Sequence, residues 1–264
     1  MNHSEIVFGP ISSRRLGRSL GIDLLMGKIC CQDCIYCEVG RTETLTSLRK
    51  EYIPAEKVTA ALDKVLQTAP ALDFITFSGL GEPTLSTAIG PVIRFIKKNY
   101  PQYKVCVLTN GMLLGDPAVR QDIAEADLVI PSLDASNGDE FLKINRPVAD
   151  ISFAQFIAGL KAFTMSFPGE IWLELFIVPG INDSDRSIER FAGIIGNLKV
   201  TLIQLNSLDR PGTEEDVSVS SGENAVRFAE VLSFFAETEI LGSALRSQQQ
   251  AKKLIFPLKK MKNT

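Results

Sequence analysis

Apolar and polar stretches alternate along this chain in a regular rhythm. Six short runs rich in apolar and β-branched residues are separated by segments in which apolar residues recur every three or four positions. The runs are SLGIDLL, DFITFSG, KVCVLTN, DLVIPSLD, IWLELFIVPG and VTLIQLNSL. We therefore predict six strands with helices between them, and a further helix, GENAVRFAEVLSFFAE, after the sixth strand.

The strand-like runs are largely continuous in apolar residues, which is typical of parallel strands covered by helices. Two α/β architectures fit this pattern, an open doubly wound sheet and a barrel. A complete eight-fold barrel needs two more strands, so we predict a partial (β/α)6 barrel. No linker-like segment divides residues 1–264, which favours a single domain, and the basic tail 248–264 is expected to be an edge element or flexible.

Polar and glycine-rich residues follow each predicted strand. The segments are KICCQDCIYCEVGR, GLGEPTL, TNG, SLDAS, PGINDSD and NSLDRPG. Turns are rich in Gly, Asn and Asp for conformational reasons alone, and any single loop fits that explanation. Six such loops in succession favour a shared site, because the carboxyl ends of parallel strands meet at one end of a barrel.

The overall charge argues against a general affinity for nucleic acid. Lys and Arg number 28 against 31 Asp and Glu, a net charge of -3, although a local basic patch remains compatible with this balance. The N-terminus lacks the charged start and apolar run of a signal peptide, and no stretch approaches the roughly 18 apolar residues of a membrane span. We expect a cytoplasmic protein without membrane attachment.

Four of the five cysteines fall between Cys30 and Cys37, a crowding that indicates metal binding in a reducing compartment. The spacing Cys30-x3-Cys34-x2-Cys37 suits a 4Fe-4S cluster better than zinc, which usually takes paired C-x2-C units or Cys/His sets. His3 is the only histidine and is expected to be a bystander near the terminus. Cys106, alone in KVCVLTN, is predicted to be a buried apolar side chain.

Three cysteine ligands leave one iron of a 4Fe-4S cluster open, in contrast to the four-cysteine clusters of electron carriers. Cys31 is a conceivable fourth ligand, but adjacent side chains are expected to point apart, and its role stays open. A non-catalytic iron-sulfur electron carrier or sensor and a zinc-binding protein remain alternatives. No second cysteine motif is present, so no auxiliary cluster is expected.

The three-cysteine motif, with Tyr36 directly before its last cysteine, resembles the signature of the radical SAM superfamily. That resemblance implies an enzyme whose 4Fe-4S cluster cleaves S-adenosylmethionine (SAM) to a 5'-deoxyadenosyl radical, which then abstracts hydrogen from a substrate. It also implies an electron donor such as flavodoxin or ferredoxin.

The resemblance assigns SAM contacts to the loops that follow the strands. A SAM contact is implied for Tyr36, and the motif that binds the methionine ammonium is matched by Gly81, Glu82 and Pro83. Contacts with the ribose are implied for Thr109, Asn110, Ser132 and Asp134, and packing on adenine for Val178, Leu205 and Asn206. For Val178 and Leu205, ordinary core packing is an equal alternative.

A closer likeness is to the radical SAM proteins related to the tRNA wyosine (4-demethylwyosine) synthases. It is carried by FGPISSRRLGRSLGIDL, CIYCEVGRT, GLGEPTL and NSLDRPGTEE. Members of this group have diverse roles, so the substrate stays open between a tRNA base, a protein or peptide, and a small metabolite. A role in tRNA modification is one of these possibilities.

Six charged side chains are further candidates for contacts with the SAM carboxylate or with the substrate. Arginine pairs with carboxylate or phosphate in bidentate fashion, although a solvated face or a structural salt bridge would also explain the N-terminal arginines. Glu174 lies within an apolar strand, where it should point into the barrel and find a partner. The six are Arg14, Arg15, Arg18, Arg146, Glu174 and Arg210.

Overall fold

The computed structural model of the chain describes residues 6–13, 15–241 and 253–259. Within these residues the main sheet has nine strands, and a separate two-stranded sheet carries part of the cysteine loop. The strands are β1 Val7–Ser13, β2 Gly17–Ile22, β3 Ile29–Cys30, β4 Thr44–Leu45, β5 Phe74–Phe77, β6 Lys104–Thr109, β7 Leu128–Pro131, β8 Glu170–Phe176, β9 Leu202–Asn206, β10 Glu237–Leu241 and β11 Lys253–Phe256.

The main sheet has the strand order β1-β2-β5-β6-β7-β8-β9-β10-β11. Every neighbouring pair from β2 to β10 is parallel, whereas β1 and β11 pair antiparallel at the two edges. The prediction of an α/β fold with parallel strands is confirmed, and all six predicted strands are present, as β2 and β5 to β9. This architecture is that of a partial barrel.

The strand count is one higher than predicted, because β10 adds a seventh parallel strand. The sequence pattern had merged its beginning with the preceding helix, from which only residues 233–236 separate it. β1 was missed because its residues are mostly exposed and include Gly9 and Pro10, which weaken a strand pattern. β1 and β10 complete the barrel wall on its two sides.

Seven α-helices connect the strands in the described part of the chain, and several begin at a side-chain cap. The longest, α5, starts with a capping box in which Ser152 and Gln155 each satisfy the other's backbone N–H. The helices are α1 Ala55–Leu66, α2 Ile89–Asn99, α3 Pro117–Asp122, α4 Gly138–Ile144, α5 Phe153–Ser166, α6 Asp185–Ile195 and α7 Gly222–Leu232.

Alternation along the strands divides apolar side chains between two faces. In β6, Val105 and Val107 join the large core between sheet and helices, whereas Cys106 belongs to a separate cluster with Leu128 and Ile130. This second cluster fills part of the barrel interior. The prediction that Cys106 is a buried apolar side chain is confirmed, and burial raises the pKa of its thiol.

The described part of the basic tail forms β11, which lies at the edge of the sheet against β10. The remainder of residues 248–264 is outside the described residues, and the single-domain assignment stays a prediction. Among the helices that the structure describes, none has the length and apolar character needed to cross a membrane.

Two helical glycines give opposite predictions for stability. In Gly159→Ala the new Cβ would lie 2.6 Å from the Gly115 backbone nitrogen, so α5 must move and the free energy of unfolding should fall by about 1 to 3 kcal/mol. In Gly193→Ala, on an exposed position of α6, no atom lies within 4 Å of the new Cβ, and helix propensity should raise stability by about 0.5 to 1 kcal/mol. Urea unfolding of both variants measures this, and equal effects would contradict the packing described for α5.

Candidate active site

The cysteine loop is folded back on itself and anchored to the rest of the barrel. Cys30 ends β3, and the chain turns where the Cys37 N–H donates to the Cys34 carbonyl at 3.1 Å. The Ile35 N–H donates to the carbonyl of Ile144 at the end of α4. As a result Cys30, Cys34 and Cys37 all line one cavity of about 300 Å³ at the carboxyl ends of the parallel strands.

The three thiols fit a 4Fe-4S cluster in number and arrangement. Within the described residues, no group of three or more His, Cys, Asp or Glu side chains is arranged to hold one metal ion. Cys30, Cys34 and Cys37 instead line one cavity together. A cluster of four irons needs thiolates spaced around its body, one for each ligated iron, and this set supplies three.

A buried lysine that the sequence analysis did not identify lies against the loop. The ammonium of Lys28 donates to the sulfur of Cys37 at 2.8 Å, and Lys28 is only 9% exposed. Burial lowers the pKa of Lys28, but the adjacent sulfurs of Cys37, Cys30 and Cys34 outweigh this effect and raise it overall. A positive charge is therefore stabilised beside the three sulfurs.

Side-chain amides also surround the sulfurs. The Asn110 amide nitrogen lies 3.4 Å from the sulfur of Cys30, and that of Asn145 lies 3.5 Å from the sulfur of Cys34. Asn110 was predicted to contact the ribose of SAM, yet here its side chain faces cysteine sulfurs. Hydrogen bonds of this kind tune the reduction potential of iron-sulfur clusters.

Cys31 is fully buried in the main core and does not line the cavity. The expectation that Cys30 and Cys31 point apart is wrong, because the Asn110 amide nitrogen also lies 3.3 Å from the Cys31 sulfur and the two thiols interact with each other. What separates the two thiols is access to the cavity, which Cys30 has and Cys31 lacks. Burial raises the pKa of the Cys31 thiol well above its ordinary value.

The carboxylate of Glu82 joins two of the loops. Its Oε1 accepts hydrogen bonds from the hydroxyls of Thr84 at 2.6 Å and Thr109 at 2.7 Å, and its Oε2 accepts from the Asn110 backbone N–H at 2.7 Å. Burial raises the pKa of this carboxyl. A carboxylate oxygen has two lone pairs, so Oε2 keeps capacity to accept from an ammonium in the cavity that Glu82 lines.

The neighbouring glycine allows this loop to approach the cysteine strand. A Cβ at Gly81 would lie 1.9 Å from the carbonyl oxygen of Ile29, to which the Glu82 N–H donates at 3.0 Å. A side chain at position 81 would therefore push the loop away from β3. Gly81, Glu82 and Pro83 all line the cavity, as does Ser132 at the end of β7.

Tyr36 is held in place by Phe176 and Asp134. Its ring stacks on Phe176 with centroids 3.8 Å apart, and its hydroxyl donates to Asp134 at 2.5 Å. Asp134 also accepts from the Asn145 amide at 2.9 Å. Asp134 was predicted to contact the ribose, but these bonds make it a support for the cysteine loop. Burial raises the pKa of the Asp134 carboxyl to about 6, although the hydrogen bonds from Tyr36 and Asn145 act to lower it.

The segment around Arg210, from the motif NSLDRPGTEE, packs on the cysteine loop. A Cβ at Gly212 would lie 2.7 Å from the Tyr36 carbonyl oxygen, so this contact requires glycine. The Thr213 hydroxyl donates to the Cys37 carbonyl at 3.1 Å, and Glu214 pairs with Arg146 at 2.5 Å.

Glu174 points into the barrel and has partners, as expected from its place in β8. Its Oε1 lies 2.7 Å from Arg15 Nη1 and accepts from the Asn206 amide at 2.9 Å. Arg210 pairs with Glu38 at 3.2 Å. Arg15 thus has the salt-bridge partner considered for it from the sequence, and contacts of Arg15, Glu174 and Arg210 with SAM or a substrate stay predictions.

The remaining candidates do not reach the cavity or cannot be placed. Arg18 is exposed and does not line the cavity. Val178 and Leu205 are buried in hydrophobic clusters and do not line the cavity, which fits the core-packing alternative for both. Arg14 and His3 lie outside the described residues.

The raised pKa of Asp134 gives a prediction about stability. Since its pKa in the folded protein is about 6, against 3.8 ordinarily, this group stabilises the fold fully below about pH 4 and loses that contribution as pH rises through 6. The difference in free energy of unfolding between the wild type and Asp134→Asn should therefore change by about 2 to 3 kcal/mol between pH 4 and pH 7. Urea unfolding across this range measures it, and parallel profiles would contradict the assignment.

Comparison with known proteins agrees with this site. Residues 24–192 match the family model described as the radical SAM superfamily. A UPF0026 protein of Helicobacter pylori is 33% identical over 95% of this chain and 80% of its own length. A protein named GTPase Obg from Brachyspira hyodysenteriae is 39% identical over 82% of this chain, which spans about a third (32%) of that protein's length.

Solved structures share the fold. A radical SAM methyltransferase from Sphaerobacter thermophilus superposes with a TM-score of 0.63 at 20% identity, covering 89% of this chain and 70% of that one. TYW1 with a bound lysine-pyruvate adduct gives 0.62 at 18% identity, covering 91% and 80%. At these identities the likeness concerns the fold alone, and the grouping with wyosine synthases stays a prediction. From its sequence match and its relatives, the chain belongs to the radical SAM superfamily and to the same family as the UPF0026 proteins.

Proposed function

We propose that this protein is a radical SAM enzyme that holds a 4Fe-4S cluster on Cys30, Cys34 and Cys37 and binds SAM beside it. The observation that carries the proposal is one cavity of about 300 Å³ lined both by the three cysteines and by the loops of the strand ends. When bound and reduced, the cluster supplies the electron that cleaves SAM to methionine and a 5'-deoxyadenosyl radical.

The loop that packs on the cysteine strand β3 suits the methionine part of SAM. Glu82 Oε2 keeps a free acceptor position, and Gly81 lets the backbone approach β3 closely. An ammonium group is satisfied by a carboxylate together with backbone carbonyls.

The hydroxyl of Ser132 is the ribose contact that the geometry favours. Ser132 lines the cavity at the end of β7, whereas Thr109 donates to Glu82 and Asp134 holds Tyr36. Thr109 and Asn110 line the cavity as well, but their side chains are engaged with Glu82 and with the Cys30 sulfur, so we favour Ser132 as the ribose contact.

The cavity favours an enzyme over an electron carrier or sensor. A carrier needs a cluster near the surface and gains nothing from an adjoining pocket, whereas ligand sites are concave and carry a few placed polar groups. The three-thiol set also favours an open iron over the four-cysteine sites of carriers. Flavodoxin or ferredoxin would supply the electron, and a tRNA base, a peptide or a small metabolite would receive the radical.

Substitution of a cluster ligand tests the proposal. Cys34→Ala should reduce anaerobic conversion of SAM to 5'-deoxyadenosine, with dithionite as reductant, to background, because the cluster loses one of its three thiolates. The matched control is Cys106→Ala, because Cys106 is buried and does not line the cavity. Chromatography of 5'-deoxyadenosine measures the product. Equal loss in both variants, or none in Cys34→Ala, would refute the ligand assignment.

The lysine beside Cys37 gives a second test. Lys28→Met removes a charge-assisted N–H to sulfur bond, so the reduction potential of the cluster should become more negative. A tenfold change in the one-electron equilibrium corresponds to about 59 mV, and we expect a shift of this order. Redox titration followed by electron paramagnetic resonance measures it. Lys57→Met, on the exposed face of α1, should leave the potential unchanged.

A further inference from the structure

A second cavity adjoins the one that carries the cysteines. It has a volume of about 270 Å³ and shares two lining residues, Ser78 and Leu108, with the first cavity. It contains none of the three cluster cysteines and none of Gly81, Glu82, Pro83 and Ser132, but it includes Arg15, Arg210 and Asn206, which were considered from the sequence for SAM or the substrate. A molecule held there would adjoin whatever occupies the first cavity.

The β1–β2 hairpin forms one wall of this second cavity. On β2, Ser19 and Gly21 line the cavity, whereas Leu20 and Ile22 between and beyond them join the helix-facing core. The ring of Phe8 on β1 covers Gly21 so closely that an added Cβ would lie 2.2 Å from it. The cavity therefore lies inside the barrel, closed on this side by a strand that the sequence pattern did not predict.

Two cationic side chains with several N–H donors each line this cavity. Arg15 and Arg210 both line it. Arg15 meets Glu174 through Nη1, and Arg210 meets Glu38 through Nε. A guanidinium has five N–H donors in a fixed fork, so each arginine keeps donors beyond those its glutamate takes.

The rest of the wall mixes apolar side chains with the polar residues Ser12, Ser13, Ser19, Thr76, Ser78 and Asn206. The apolar side chains are Phe8, Ile11, Leu16, Leu108 and Leu241. The hydroxyls of Ser19 and Thr76 are hydrogen-bonded to each other at 2.6 Å, which leaves little demand for further polar partners there. The cavity thus offers cationic donors together with a short apolar surface.

The size of the cavity limits what it can enclose. Pockets for drug-sized ligands run from about 300 to 1,000 Å³, and this one lies just below that range. It suits a molecule of a few carbons.

We infer that the second cavity is the substrate site and that it takes a small organic anion, with its carboxylate or phosphate on Arg15 and Arg210 and a short apolar body against Phe8 and Leu108. This inference rests on the proposed function, because a substrate is needed only if the first cavity generates a radical. The Arg15–Glu174 pair then separates the two ligands, since Glu174 lines the first cavity and Arg15 the second.

Binding of simple probes tests the inference without any SAM cleavage. Isothermal titration calorimetry measures this binding without a chromophore in the cavity. The full-length, cluster-loaded protein would be titrated anaerobically with pentanoate, butyl phosphate, pentanamide and pentylamine. We expect pentanoate or butyl phosphate to bind at least tenfold more tightly than the neutral amide, and pentylamine not to bind. The tighter of the two anions identifies the anionic group.

Arginine variants locate the binding. Arg15→Met should weaken the preferred anion at least tenfold, whereas Arg18→Met, three residues away but exposed and outside the cavity, should not change it. Arg210 is exposed, so Arg210→Met should fold like the wild type, and it should weaken binding several-fold.

Failure of the inference is distinct from failure of the proposed function. Equal affinity for amide and anion, or equal loss in Arg15→Met and Arg18→Met, overturns the anion site even if SAM is cleaved. Anion binding that follows the expected pattern in a protein that never cleaves SAM leaves the anion site intact and refutes its role as a substrate site.

Discussion

The buried carboxylate of Glu82 is the interaction on which the site depends. At 2% exposure an ionised carboxylate is costly unless it is fully hydrogen-bonded, and Thr84, Thr109 and the Asn110 backbone supply the bonds. Because the Asn110 side chain also contacts the Cys30 sulfur, one carboxylate fixes the ends of β5 and β6 relative to the cysteine strand. The cavity has its shape because these three segments cannot move independently.

A second polar contact divides the barrel interior. Glu174 lines the cysteine cavity. Its partners Arg15 and Asn206 line the neighbouring cavity. Ion pairs of this kind add little to stability, because desolvation offsets the attraction, but they hold geometry. In a radical SAM enzyme such a partition would keep the nucleotide and the substrate adjacent without allowing either to take the other's place.

The loops at the strand ends converge as predicted, but the partners of their residues within the protein were not foreseen, and their contacts with SAM stay predictions. The rule that loops at the carboxyl ends of parallel strands converge places Asn110 and Asp134 near the cysteines, as observed. It does not say that Asp134 accepts from Tyr36, 98 positions away in sequence, or that Asn110 donates to sulfur. Such pairings depend on the positions of two loops to within a few tenths of an ångström, and hydrophobic periodicity does not specify loop positions.

The sequence by itself determined the parallel α/β rhythm, the three-cysteine spacing and the burial of Cys106, since each depends on local pattern or residue type. Only the tertiary structure decided that β1 and β10 complete the barrel wall, that Lys28 lies against Cys37 and that two cavities adjoin. The reason is physical: hydrophobic periodicity specifies which face of an element is buried, whereas a lysine in a loop or a half-exposed edge strand acquires its role from partners brought to it by folding.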